Sequence, residues 1–153
     1  MKKYTCFDAP LRVFGIPFFD EKKKFERLPE QVRTKLSNLD FLGRRCPGAR
    51  IGFRTNAEEF TVKIYLKTLS VDIGMSIFAC QSAIVMVGDR QNSVFAGLVN
   101  PPDYKTKVFK NTVKKSSNME DVTIWLMRNE EIENVEITIP DDALVEEPTP
   151  YKY

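Results

Sequence analysis

Cys6, Cys46 and Cys80 are the only thiols of this 153-residue chain, and it contains no histidine. A thiolate attacks when a neighbouring base or a helix N-terminus lowers its pKa. Serine hydrolysis needs a base that takes a proton near neutral pH, a task histidine normally performs. Neither route has its usual partner here, so none of the three cysteines is expected to be a nucleophile. Their odd count and wide spacing fit neither a disulfide framework nor a Cys-x-x-Cys metal site. Free thiols in a reducing, cytoplasmic compartment are the expectation, with no metal and no cofactor. Two carboxylates set across a sugar could run glycoside chemistry. The adjacent acids Glu58-Glu59, Glu130-Glu131, Asp141-Asp142 and Glu146-Glu147 all fall in turns, where they read as solvated charge, and no catalytic residue is assigned.

Binding is the remaining chemistry. Trp125, Tyr65 and Tyr104 could stack on sugar rings, and Arg54 and Asn56 could hydrogen-bond hydroxyls; the same five side chains would equally serve as contacts between domains. The only tryptophan of a small β domain belongs more often to the interior or to a domain interface, and Arg54 on a wet sheet face should pair with a nearby acid.

The elements that must position these residues read as strands. Ile51, Phe53 and Thr55 alternate with Arg50, Gly52 and Arg54, giving one dry and one wet face. Asn56-Ala57-Glu58-Glu59 has the length of a hairpin loop leading into Phe60-Thr61-Val62-Lys63-Ile64-Tyr65-Leu66. Leu11–Ile16 and Phe25–Leu28 read as a strand pair around Lys22-Lys23-Lys24. Pro29 opens one short helix near residues 29–38, with Val32, Leu36 and Leu39 at helical spacing. Residues 74–78 form a compact apolar run. Residues 83–87 and 93–99 form a hairpin, and the apolar density of its first strand predicts cover on both faces. Residues 104–118 read as a crossing loop with an edge strand near Val108-Phe109, and Asp121–Met127 and Asn134–Ile139 alternate again. Around ten short strands and one helix define an all-β, jelly-roll-like β-sandwich.

The chain is of single-domain size, and 42% hydrophobic residues suffice to fill one core. A formal charge of +2 argues for neither nucleic acid nor membrane as a partner. No signal-peptide core and no apolar run of membrane-spanning length is present. Residues 148–153, with Pro148 and Pro150, have linker composition, which leaves 8–147 as the sandwich and points to a further domain beyond.

Taken together, Phe14-Gly15-Ile16-Pro17-Phe18-Phe19 with Phe25-Glu26-Arg27-Leu28-Pro29, the Ile51–Asn56 stretch, and the ending Val135-Glu136-Ile137 to Pro150-Tyr151-Lys152-Tyr153 resemble the N-terminal β-sandwich domain of SGNH (GDSL-type) hydrolases, a group that includes carbohydrate esterases. The resemblance covers residues 8–153. It implies a non-catalytic accessory domain that packs against a C-terminal hydrolase domain of the same polypeptide and shapes one wall of its substrate cleft; the alternative is a carbohydrate-binding module. Many relatives carry an acidic residue and a serine at the positions of Asn56 and Ala57. Their Gly-x-Asp-Leu-Tyr string, which would fall at Ser82-Ala83-Ile84-Val85-Met86, is absent. None of the catalytic blocks is present, and the nearest string, Gly88-Asp89-Arg90, has arginine in place of the nucleophilic serine.

Overall fold

Period-two alternation resolves into two antiparallel sheets in a computed structural model that describes residues 1–70, 74–89 and 91–151. Sheet A contains, in order, β1 (Lys2–Thr5), β9 (Ile132–Ile139), β4 (Glu59–Leu66) and β7 (Val108–Lys114). Sheet B contains β10 (Val145–Glu146), β3 (Arg50–Thr55), β8 (Glu120–Trp125), β5 (Ala83–Val87) and β6 (Val94–Val99), and β2 (Arg12–Phe14) also pairs with β3. The all-β sandwich expected from the sequence is what forms. Four short helices accompany it among the described residues: α1 (Phe19–Lys22), α2 (Glu30–Arg33), α3 (Ser37–Gly43) and α4 (Ile77–Gln81). Within the same residues no helix is long and apolar enough to cross a membrane.

The core lies between the sheets. Ile51, Phe53, Val85, Val122 and Ile124 point inward from sheet B, and Phe60, Val62, Ile64, Val135, Ile137 and Ile139 from sheet A, all buried. Phe53 and Phe60 meet edge to face across the layers, ring centroids 5.6 Å apart, a geometry that contributes roughly 0.5–1.5 kcal/mol beyond the area it buries.

The predicted faces of β3 are those observed, but its predicted partner is not. Strands β3 and β4 do not form a hairpin: β3 pairs with β8 through six residues, while β4 pairs with β7 and β9 in the other sheet. The connection arches over the edge of the sandwich because its polar groups are bound elsewhere. Thr55 Oγ1 donates to Leu144 O (2.7 Å), and Asn56 Oδ1 accepts from Leu144 N (2.8 Å).

Other expectations also change. Only Arg12–Phe14 of the first segment is a strand, and it joins β3. Phe25 instead packs with Phe19 (5.0 Å between ring centroids) and lies edge-on to Phe7. Gly15 adopts φ +83°, and a Cβ there would stand 2.7 Å from Gly48 O, so the turn leaving β2 admits only glycine. The helix from Pro29 is two pieces, since Leu36 is extended (φ −136°, ψ 126°). Its apolar positions Val32 and Leu36 are exposed, and the buried residue is Arg33, paired with Glu26 and Asp40. The apolar run at 74–78 leads into α4, where Ser76 Oγ accepts from Ala79 N. The β5–β6 hairpin forms as read, yet Ile84 is exposed, so β5 is covered on one face only. The edge strand β7 runs for seven residues, longer than Val108-Phe109 suggested.

Candidate functional site

Strand register places side chains in rows on the outer face of sheet B. One row runs Phe14, Arg50, Trp125, Ile84, Leu98 across β2, β3, β8, β5 and β6; the next runs Gly52, Thr123, Met86 and Phe95. Trp125 is 40%, Ile84 42% and Phe95 61% exposed. An apolar strip therefore faces outward across three neighbouring strands. At its end the Arg50 guanidinium lies 5.0 Å from the Trp125 ring, 4.4 Å from Tyr151 and 5.6 Å from Phe14. Arg50 Nε also donates to Tyr151 Oη. Such cation–ring contacts contribute about 0.5–1 kcal/mol each at exposed sites, enough here to fix one orientation of the guanidinium. A cavity of about 250 Å³ is lined by Arg50, Ser93, Thr123, Trp125 and Tyr151.

The Pro-bearing tail is part of this face. Pro148 packs over Gly52, where a Cβ would come within 3.2 Å of the proline ring. Thr149 donates through N (2.8 Å) and Oγ1 (2.6 Å) to the Asp121 carboxylate, and the Tyr151 ring stands edge-on to Phe14 at 4.8 Å. Lys152 and Tyr153 lie outside the described residues.

Of the five candidate contacts, the structure brings only Trp125 and Arg54 to one face. Arg54 pairs with Glu146 at 3.2 Å. Asn56 is used in the arch. Tyr65 lies on the opposite, outer face of sheet A with Lys63 Nζ 4.7 Å from its ring centre, and Tyr104 is exposed in the β6–β7 connection. Sequence reasoning missed Arg50, Phe14 and Tyr151. Arg50 carried a signal, standing at period two with Arg54 on the wet face, but Tyr151 looked like linker.

Glu130 corrects another expectation. Read as solvated turn charge, it is 0% exposed. Its Oε2 accepts from Thr68 Oγ1 (2.9 Å), and its Oε1 accepts from Ser70 N (2.7 Å) and Gln81 Nε2 (3.0 Å). The carboxyl group joins the loop after β4 to α4, a structural duty. At the other end of the hairpin, Asp89 accepts from Gln91 N and Asn92 N, which holds its carboxyl below the usual range. That is a turn-closing role; Arg90 lies outside the described residues.

All three cysteines are buried free thiols. Cys6 donates to Asn134 Oδ1 (3.3 Å) and Cys46 to Phe25 O (3.0 Å). Burial pushes both thiols up to about 12. Native protein at pH 8 should therefore leave Cys6 and Cys46 unreacted with a thiol reagent over minutes, and denaturation should expose three groups. Rapid native labelling of either would contradict this burial. The sign of the pH effect follows: the unfolded chain loses these protons from about pH 9 and the folded chain does not, so stability should fall as pH rises from there towards 12.

Fold and surface together define an all-β sandwich domain with one apolar outer face. Residues 4–145 match the family GxDLY, described as the N-terminus of SGNH-hydrolase-type esterases, and the chain belongs to that family. It does so without a Gly-x-Asp-Leu-Tyr string anywhere in its sequence. Among solved structures, a GDSL-like lipase from Bacteroides ovatus superposes with a TM-score of 0.83 at 15% identity, over 99% of this chain and 44% of that one. The salicylyl-acyltransferase SsfX3 from a tetracycline biosynthetic pathway superposes at 0.67 and 15% identity, over 99% of this chain and 43% of its own. The chain thus spans less than half the length of either. No curated protein matches the sequence.

Proposed function

We propose that this chain is the non-catalytic N-terminal accessory domain of an SGNH/GDSL-type esterase, and that the outer face of sheet B docks on a hydrolase domain following in the same polypeptide and forms one wall of its substrate cleft. The observation that carries this reading is the exposed strip Trp125–Ile84–Phe95 beside a tail pinned to the same face. A contiguous apolar patch with a polar rim is what an interdomain surface requires, and the tail delivers the chain to that surface.

A carbohydrate-binding module is the second reading, favoured by the cavity between Trp125 and Tyr151 with Arg50 at its side. The two readings separate in one experiment. Acetyl esters and acetylated sugars are assayed with the chain alone and with a version extended through the downstream reading frame, and sugar binding to the chain alone is followed by Trp125 fluorescence. Hydrolysis only in the extended protein, lowered about tenfold or more by Trp125→Ser, is the expected result. Activity of the chain alone that survives replacement of all three cysteines would sink the accessory reading. Saturable quenching by neutral sugars would transfer support to the binding module.

A further inference from the structure

Arginines crowd the end of the sandwich beyond Arg50 and Trp125, where the chain enters β3 and leaves β8. Arg33 and Arg44 take up the carboxylates of Glu26, Asp40 and Glu131. Arg27, Arg45 and Arg128 have no carboxylate within 4.0 Å among the described residues. These three line one cavity of about 290 Å³, together with Leu42, Pro47 and Asn129. No acid lines it.

Arg45 is the informative member. It is 9% exposed, its guanidinium carbon stands 3.8 Å from the centre of the Phe41 ring, and its buried Nη2 has no hydrogen-bond partner among the described residues. A guanidinium cannot shed its charge to escape burial, and a buried, unpaired charge is costly even over an aromatic face. Asn129 backs the cavity, its amide tied to Cys80 Sγ (3.5 Å) and its Oδ1 accepting from Arg128 Nε (3.1 Å), so Arg128 is held at the rim with its terminal nitrogens available. The arrangement is a preformed cationic socket with a buried donor, Arg45 Nη2, that lacks an acceptor among the described residues.

We infer that the cavity bounded by Arg27, Arg45 and Arg128 binds the oxyanion head, carboxylate or phosphate, of a small soluble molecule. Forked guanidinium donors match both groups, and the volume, at the lower end of ligand pockets, leaves room for a body of monosaccharide size behind the head. The inference does not depend on the hydrolase-domain reading.

The test is an NMR titration of the chain with phosphate, glucuronate and glucose at constant ionic strength. Phosphate or glucuronate should shift resonances of residues 27, 42–47 and 128–129 saturably, with Kd on the order of 0.1–1 mM, and glucose should not. Binding of both anions assigns recognition to the head alone; binding of glucuronate only assigns it to a carboxylate on a sugar-sized body; either supports the site. Arg45→Met removes the charge while leaving an unbranched apolar side chain beside Phe41 and should weaken binding at least tenfold, as should Arg128→Gln, a change at an exposed residue that should leave folding intact. No saturable shift with either anion, an equal response to chloride, or unchanged affinity in Arg128→Gln would overturn the proposal.

Discussion

Glu130→Ala should lower the unfolding free energy by about 3–5 kcal/mol, read as a fall in the urea midpoint followed by far-UV circular dichroism and Trp125 fluorescence. A buried donor that loses its acceptor costs about 1–3 kcal/mol, and three donors point at this carboxyl group: Thr68 Oγ1, Ser70 N and Gln81 Nε2. Gln81 is the worst placed, since it is fully buried and its Oε1 already lacks a partner among the described residues. Water entering beside the half-buried Thr68 and Ser70 recovers part of the total, which sets the upper figure. Glu130→Gln should cost only about 1–2 kcal/mol, because one oxygen can still serve Ser70 and Gln81 while the new amide meets Thr68. That hydroxyl already accepts from Glu131 N at 3.1 Å. Equal effects of the two substitutions, or no effect of either, would show that the network does not tie the loop to α4.

Phe53→Ala should be at least as damaging, at about 3–5 kcal/mol. The ring is fully buried and meets Phe60 of the facing sheet, so truncation opens a cavity at the plane where the two layers touch and neither sheet can close it alone. Phe53→Leu should lose about half as much, since it retains most of the volume. Chemical denaturation of the two variants beside the parent distinguishes this from a tolerant core; a loss below about 1 kcal/mol for alanine would mean that the layers do not depend on this contact.

These two residues also show what the sequence could and could not disclose. Phe53 was legible because face is a local property: period two assigns Ile51, Phe53 and Thr55 to one side whatever the strand pairs with. Its partner was not legible, because β3 pairs with β8, seventy residues on, and nothing in residues 50–66 tells a hairpin from an arch. Glu130 looked like any acid in a turn. The donors that make it structural lie 49 to 62 positions away; likewise Arg50 and Trp125 meet only through register, and Tyr151 reaches them only through the docked tail. Sequence alone leaves Trp125 either interior or interdomain; its place on an exposed sheet face excludes the interior. The split of the helix at Leu36 was hidden for a different reason, since buried Arg33, not an apolar stripe, anchors that segment.

The order of sheet A, β1-β9-β4-β7, has a consequence for how the molecule comes to exist. No two neighbours in it are adjacent in sequence, so none of its pairings can zip from a local turn. Closing long loops must precede the contacts that reward it, which makes assembly slow relative to a domain built of hairpins. On the ribosome, β4 emerges with both edges bare and waits for β7 and then β9, while β1 waits longest of all, for β9 at the far end of the domain. For that interval the strands that will form the centre of the sandwich are open templates for another nascent chain, and the speed of synthesis through residues 108–139 sets how long they stay so.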